Sequence, residues 1–246
     1  AKHGSDIAVI ARNKEKSESA CEEIRKMGVR AQSVICDVSE RKSVNDAVIE
    51  TNSIFGKIDI FVNNAGMNIR TDEPQDLTTE KWDQIIQTNL SSMHYMSSEV
   101  FPYFKLQKAG KIINIGSMTS IFGSPYASAY AASKGGVVQY TKSCALGWGL
   151  YNIQVNAILP GYIVTEMTKG FLEKYPEKEQ VITDRTAMGR WGQPQDLSGT
   201  AVFLASQASD FVTGTFIPVD GGYSVALNYV YGDNLTAIYL PLLFIM

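Results

Sequence analysis

Cysteine is scarce in this chain. Cys21, Cys36 and Cys144 are far apart and odd in number, which argues against a disulfide framework and a cysteine-rich zinc site and suits a reducing compartment. Histidine is scarcer still. His94 reads as structural, His3 is uninformative, and no His/Cys/Asp cluster has metal-ligand spacing, so no metal is expected. Charge of one sign is also missing: 22 Lys and Arg against 25 Asp and Glu give a formal net charge of −3, no reason to expect nucleic acid or an anionic membrane as a partner. No basic–apolar–cleavage pattern opens the chain. No apolar run reaches the roughly 20 residues of a bilayer span. The uncharged tract Leu235–Met246 has 12 residues and contains Pro241; lacking a charged face, it reads as a packed or aberrant tail rather than a membrane-surface anchor. These absences point to a cytoplasmic protein with a small-molecule partner.

What is present is an ordinary globular composition, 45% apolar and 19% charged over 246 residues, enough for one α/β domain over residues 1–226 with an atypical apolar tail over 227–246. Short apolar runs at Ile7–Ala11, Ala31–Cys36, Ile58–Val62, Lys111–Ile115, Ile153–Ile158 and Thr215–Val219 read as strands. Between them lie helical patterns: one capped by Asn13 and ending near Met27-Gly28, one reaching Phe55, then Thr79–Leu106, Ser128–Leu150 and Pro194–Ala205. Residues Tyr162–Gln193 read as a mobile loop-plus-helix lid. Strands alternating with helices of this length require crossover connections. The expected fold is therefore an α/β, Rossmann-like doubly wound parallel sheet with helices on both faces, binding ligands beyond the carboxyl ends of its strands.

The chemistry concentrates in Gly116-Ser117 and Tyr130-Ala131-Ala132-Ser133-Lys134. A four-residue spacing puts Tyr130 and Lys134 on one helix face. A phenol titrates near ~10 unaided, and a neighbouring ammonium is expected to lower that value toward the working pH of a general acid/base. Ser117, at a strand end 13 residues earlier, is placed to hold a substrate oxygen. Asn63-Asn64-Ala65-Gly66 lies upstream, Asn89 sits in Thr88-Asn89-Leu90, and Pro160-Gly161 follows the fifth strand.

In this order and spacing the landmarks resemble those of the short-chain dehydrogenase/reductase family, over roughly Ile7 to Val225. The resemblance implies hydride transfer between a nicotinamide cofactor and a carbonyl or secondary alcohol, the cofactor supplying the hydride chemistry. It implies a catalytic set of Asn89, Ser117, Tyr130 and Lys134. Tyr130 would exchange the proton, Lys134 would tune it and bind the nicotinamide ribose, Ser117 would orient the substrate, and Asn89 would hold a relay water. Asn63, Ala65 and Gly66 would line the adenosine side, with Asp37 and Val38 at the adenine. Pro160, Gly161, Ile163 and Thr165 would lie at the carboxamide end. Substrate would meet Ser117, Met118, Thr119, Tyr126 and Tyr130. Relatives assemble as tetramers or dimers through the two long helices.

Cofactor choice in this fold rests on the end of the strand Ile7–Ala11, where an acid binds the ribose of NAD and an arginine accommodates the 2′-phosphate of NADP. Here Arg12-Asn13 follows Ala11, so NADP(H) is favoured over NAD(H). The family's opening strand and glycine-rich turn have no counterpart before Ile7. That strand would lie centrally, and without it two strands are expected to present unpaired edges and the pyrophosphate to lack its main donors. Gly189-Arg190-Trp191-Gly192-Gln193-Pro194-Gln195-Asp196-Leu197 looks like the corresponding stretch of gluconate and deoxygluconate dehydrogenases, and Lys169, Lys174 and Lys178 make the lid basic. A sugar or sugar acid is the expected substrate. The alternatives are a 3-oxoacyl-carrier-protein reductase and a non-catalytic binding subunit that keeps the fold.

Overall fold

Six runs rich in branched apolar residues form the strands β1 (Ile7–Ala11), β2 (Ala31–Ile35), β3 (Ile60–Asn63), β4 (Gly110–Ile115), β5 (Ile153–Pro160) and β6 (Phe216–Val219). They belong to a computed structural model that describes residues 1–226; the tail expected over 227–246 lies outside the described residues. Every strand pair is parallel. The helices are α1 (Lys14–Arg25), α2 (Arg41–Phe55), α3 (Thr79–Ile86), α4 (Ser92–Gln107), α5 (Ser128–Trp148), α6 (Glu166–Lys174), α7 (Glu177–Arg185) and α8 (Ser198–Ala205). The segment read as a loop with one helix thus holds both α6 and α7.

Neighbouring residues of β4 show how the two faces are built. Ile112 packs with Val48 of α2, Val100 and Phe104 of α4, and Ala145 of α5. Ile113, the next residue, points the other way and packs with Leu204 of α8. Successive side chains of a strand face opposite ways, so an unbroken apolar run demands helices on both sides. A third cluster gathers Met118, Ile182 and Trp191 under the lid.

Local signals act as expected at several ends. The Asn13 side chain accepts from Lys16 N at 2.8 Å and caps α1, occupying an otherwise orphan amide. Gly56 ends α2 at φ 81°, a left-handed conformation that glycine adopts without a Cβ penalty. The single helix expected from Thr79 is instead α3 and α4 joined by a wide π-type turn over Gln87–Ser91. Such turns are frequent at functional sites, and this one carries Asn89.

The sheet is divided: β1 pairs with β2, while β3, β4, β5 and β6 form a second unit in that order. Between β1 and β3 runs a cleft of about 840 Å³, walled by Ala8 and Ile10 on one side and Ile60 and Val62 on the other.

Candidate active site

The carboxyl ends of β3, β4 and β5 converge on one wall, and a buried polar ladder fixes their heights. Asn63 Nδ2 donates to Asn114 Oδ1 at 2.8 Å and to Ser97 Oγ at 3.0 Å, and Asn114 Nδ2 donates to Thr141 Oγ1 at 2.9 Å. These groups are fully or almost fully buried, where an unmet donor is costly, so the ladder ties β3, β4, α4 and α5 together. The Asn63 side chain is therefore turned into the core. Ala65 borders the cleft after the carboxyl end of β3, and for Asn63 only its backbone is left to line it.

Ser117 follows β4 directly, and its Oγ accepts from Thr119 N at 3.2 Å. Tyr130 and Lys134 stand one turn apart on α5. The Tyr130 phenol is raised above its ordinary value by burial, and a hydrogen bond with Ser117 partly opposes this. Lys134 is 4% exposed, and burial brings its ammonium down to about 8. Its Nζ donates to Ile115 O at 2.7 Å and lies 5.7 Å from the centre of the Tyr130 ring. The expected lowering of Tyr130 by Lys134 is thus not found in this geometry. The ammonium is aimed at the strand carbonyl, and desolvation governs the phenol.

Asn89 is completely buried. Its Oδ1 accepts from Met67 N at 2.8 Å, while Nδ2 donates to Met67 O at 2.9 Å and to Ser133 Oγ at 3.1 Å. The side chain pins the segment after β3 against α5. A Cβ on Gly66 would meet Asn89 Oδ1 at 3.5 Å and Lys134 Nζ at 3.6 Å, so the bare backbone of Gly66 faces the catalytic lysine. At the far side, a Cβ on Gly161 would come within 2.6 Å of Asp220 Cα, which explains the glycine after Pro160. Ile163 is buried and bridges to Gly192. Thr165 caps α6, its Oγ1 accepting from Thr168 N at 3.3 Å.

The ends of β1 and β2 are open. Arg12 has a side chain 77% exposed and stands 3.8 Å from the Asp37 carboxylate, a loose pairing that leaves the guanidinium able to meet a phosphate. Asp37 is held by Ser39, whose Oγ and N donate to it at 2.6 and 2.9 Å, and these bonds keep its carboxyl below the usual range. Val38 borders the cleft beside β1.

A nicotinamide cofactor fits this wall at its nicotinamide-ribose end. The buried ammonium of Lys134 has one protein acceptor and further N–H groups to give, and the Gly66 cradle leaves room beside it. No glycine-rich turn stands at the pyrophosphate position among the described residues.

Two cations missed by the sequence reading lie near Tyr162. The Arg70 guanidinium lies 4.9 Å from the Phe171 ring centre and 5.6 Å from that of Tyr126. Arg185 lies 4.2 Å from the ring of Tyr223 and 5.7 Å from that of Phe122. Neither forms an ion pair among the described residues. No spacing rule links Arg70 to Arg185; only the folded lid gathers them around Tyr162, whose phenol both charges act on. Also without a partner among the described residues are the buried oxygens Thr119 Oγ1 and Asn68 Oδ1.

Comparison with known proteins decides the family. A sequence profile described as enoyl-(acyl carrier protein) reductase matches residues 1–224. The gluconate 5-dehydrogenase of Gluconobacter oxydans is 36% identical over 227 residues, covering 92% of this chain and 88% of that protein. The chain is a short-chain dehydrogenase/reductase. The 2-dehydro-3-deoxy-D-gluconate 5-dehydrogenase of Dickeya dadantii is 41% identical over 224 residues, 91% of this chain and 87% of that one. The solved structure of a gluconate 5-dehydrogenase from Burkholderia cenocepacia, in complex with NADP and tartrate, superposes with a TM-score of 0.88 at 36% identity, covering 92% of this chain and 88% of that chain. The parallel sheet with helices on both faces is thus the fold of this family, and the chain is an oxidoreductase by descent. Among the described residues no helix is long and apolar enough to cross a membrane, and no group of His, Cys, Asp and Glu is placed to hold a metal ion.

Proposed function

We propose that this dehydrogenase moves a hydride between NADP(H) and a sugar acid of the gluconate type. The observation that carries the reading is the half-buried Tyr130 on α5, one helical turn from the buried Lys134 and beside Ser117 at the end of β4. The nicotinamide ring, when bound, gives or takes the hydride. Ser117 and Tyr130 hold the substrate oxygen between them, and Tyr130 exchanges its proton. Lys134 holds the ribose, and its charge would favour phenolate once the ammonium turns from the Ile115 carbonyl toward the phenol. Asn89 keeps the proton path in place by locking the Met67 backbone. Arg12 would receive the 2′-phosphate, with Asp37, Val38, Ala65 and Gly66 along the adenosine and Pro160, Gly161, Ile163 and Thr165 along the carboxamide.

Three observations favour a sugar acid. Arg70 and Arg185 offer two guanidinium groups for a carboxylate, Thr119 and Asn68 hold unmet polar atoms for hydroxyls, and the relatives named above act on gluconates. A cytoplasmic homotetramer is part of the proposal. Leu106 at the end of α4, Leu146 at the end of α5 and Leu150 in the turn just after it are 86%, 86% and 100% exposed, apolar surface that a subunit contact would cover. The test is NADP⁺-dependent oxidation of D-gluconate by the purified chain and its Tyr130→Phe variant. Turnover abolished by the substitution is expected. Turnover of an acetoacetyl thioester with NADPH, and none of gluconate, would instead establish the acyl-carrier alternative.

A further inference from the structure

A second group of aromatic and charged side chains lies under the lid, reached from Ser117 through its neighbour in the chain. Met118 packs in one cluster with Ile182, Trp191 and Tyr223, and Phe122 and Tyr162 pack against it. Tyr223 comes from the turn after β6, which is held by its own hydrogen bonds. The Asp220 carboxylate accepts from Gly222 N at 2.9 Å and from Ser224 N at 2.7 Å. Met188 N donates to Gly221 O at 3.0 Å, and a Cβ on Gly222 would stand 2.7 Å from that of Ala187. The turn is thus seated on the segment that follows α7, and α7 ends in Arg185.

From this position Tyr223 meets two groups. The Arg185 guanidinium lies 4.2 Å from the centre of its ring, with the Phe122 ring 5.7 Å from the same guanidinium. The Tyr162 ring stands 5.1 Å away at 62°. Arg185 is exposed and forms no ion pair among the described residues. The carboxylate beside it in the chain, that of Asp184, accepts from Gln180 Nε2 at 2.6 Å instead. A guanidinium stacked by its face keeps its N–H fork in the plane, the geometry that grips a carboxylate through two parallel bonds. Burial and the neighbouring Tyr223 push the Tyr162 phenol up to about 12, against the pull of Arg70 and Arg185. Tyr162 therefore keeps its proton and can donate it in a hydrogen bond.

We propose that Tyr223 sets the acid specificity of this site, its ring presenting Arg185 beside the Tyr162 hydroxyl so that guanidinium and phenol together receive the substrate's carboxylate. The inference rests on the sugar-acid reading and names the receptor of the acid end. Arg185 meets the substrate, and Tyr223 acts through it as a positioning residue. A neutral polyol of equal length gains nothing from the guanidinium charge, so discrimination falls on the acid end alone.

D-gluconate and the neutral D-sorbitol, titrated separately against the full chain, test this through the emission of Trp191, whose ring lies 5.3 Å from that of Tyr162; Trp191→Phe serves as the blank. Saturation by gluconate and none by sorbitol is expected. Arg185→Gln, at an exposed side chain, should raise the gluconate Kd about 10- to 100-fold. Tyr223→Leu should raise it about tenfold, whereas Tyr223→Phe, which keeps the ring face, should stay within about threefold. In NADP⁺-dependent turnover the loss in Arg185→Gln and Tyr223→Leu should fall on KM rather than kcat. The proposal is overturned by parent-like gluconate affinity in Arg185→Gln, or by no saturable signal in the parent chain. A fall in kcat as large as the rise in KM for Tyr223→Leu also overturns it, making Tyr223 a packing residue of the lid. Gluconate turnover with a parent-like KM in Arg185→Gln removes this inference alone. Gluconate binding that depends on Arg185, with no turnover by the parent chain, removes the catalytic reading alone.

Discussion

β5 and β1 are both short apolar runs, yet they end in different environments. Seven of the eight residues of β5 are buried, because β4 and β6 flank it and helices cover both faces. No residue of β1 is buried, because β2 is its one strand neighbour among the described residues. The difference lies in the neighbours and not in the hydropathy of either run. It divides the molecule into a candidate catalytic wall built on β4, β5 and α5, and a cleft beside β1 whose edge has no strand partner among the described residues.

The sharpest way to break that comparison is at the wall itself. Tyr130→Phe should lower turnover about 100- to 10,000-fold with little change in thermal midpoint; equal loss of both would make Tyr130 a packing residue. Ile153 of β5 is fully buried, so Ile153→Ala should cost about 2–5 kcal/mol. Ile10→Ala, at the half-buried edge, should cost about 1 kcal/mol. Urea titrations giving equal losses would mean that the cleft is closed in solution.

Lys134 provides a pH test of the wall. Its folded value of about 8 lies below the ordinary 10.5, so between these values the unfolded chain holds the proton that the folded chain has released. Stability therefore gains from this group as pH rises through the window, by up to about 3 kcal/mol, and the gain is lost as pH falls from 10.5 back to 8. Buried tyrosines and cysteines act oppositely at high pH, so the measure is the difference between the parent chain and Lys134→Met. That difference should shift toward the parent from pH 8 to 10.5; a flat difference removes the desolvation argument.

Smaller effects are expected at exposed positions. Arg12→Ala should weaken NADPH binding roughly tenfold and leave NADH nearly unchanged, read by cofactor fluorescence. Gly147 stands near the end of α5, where an added Cβ meets nothing within 4 Å. Gly147→Ala should therefore stabilise by about 0.5–1 kcal/mol.

Much of the site was legible because its residues are near in sequence or mark strand ends. Ser117, Tyr130 and Lys134 are tied by helix spacing and by a strand-to-helix step, so the chain encodes their proximity directly. The Asn13 cap and the alternation of strand and helix were readable for the same reason. Long-range packing was not readable. The inward turn of Asn63 depends on Ser97 and Asn114 from other elements, and the π-type turn at Asn89 depends on Met67 and Ser133. The aim of Lys134 depends on a carbonyl of β4.

By itself, then, the amino-acid order determined the layered α/β architecture, the candidate trio of Ser117, Tyr130 and Lys134 and the arginine after the first strand, since periodicity, caps and short spacings are local properties of a chain. Only the tertiary structure decided which groups are desolvated and which arginines gather around Tyr162. It also decided which strand edges face one another, because burial and edge pairing depend on residues dozens of positions apart meeting in space.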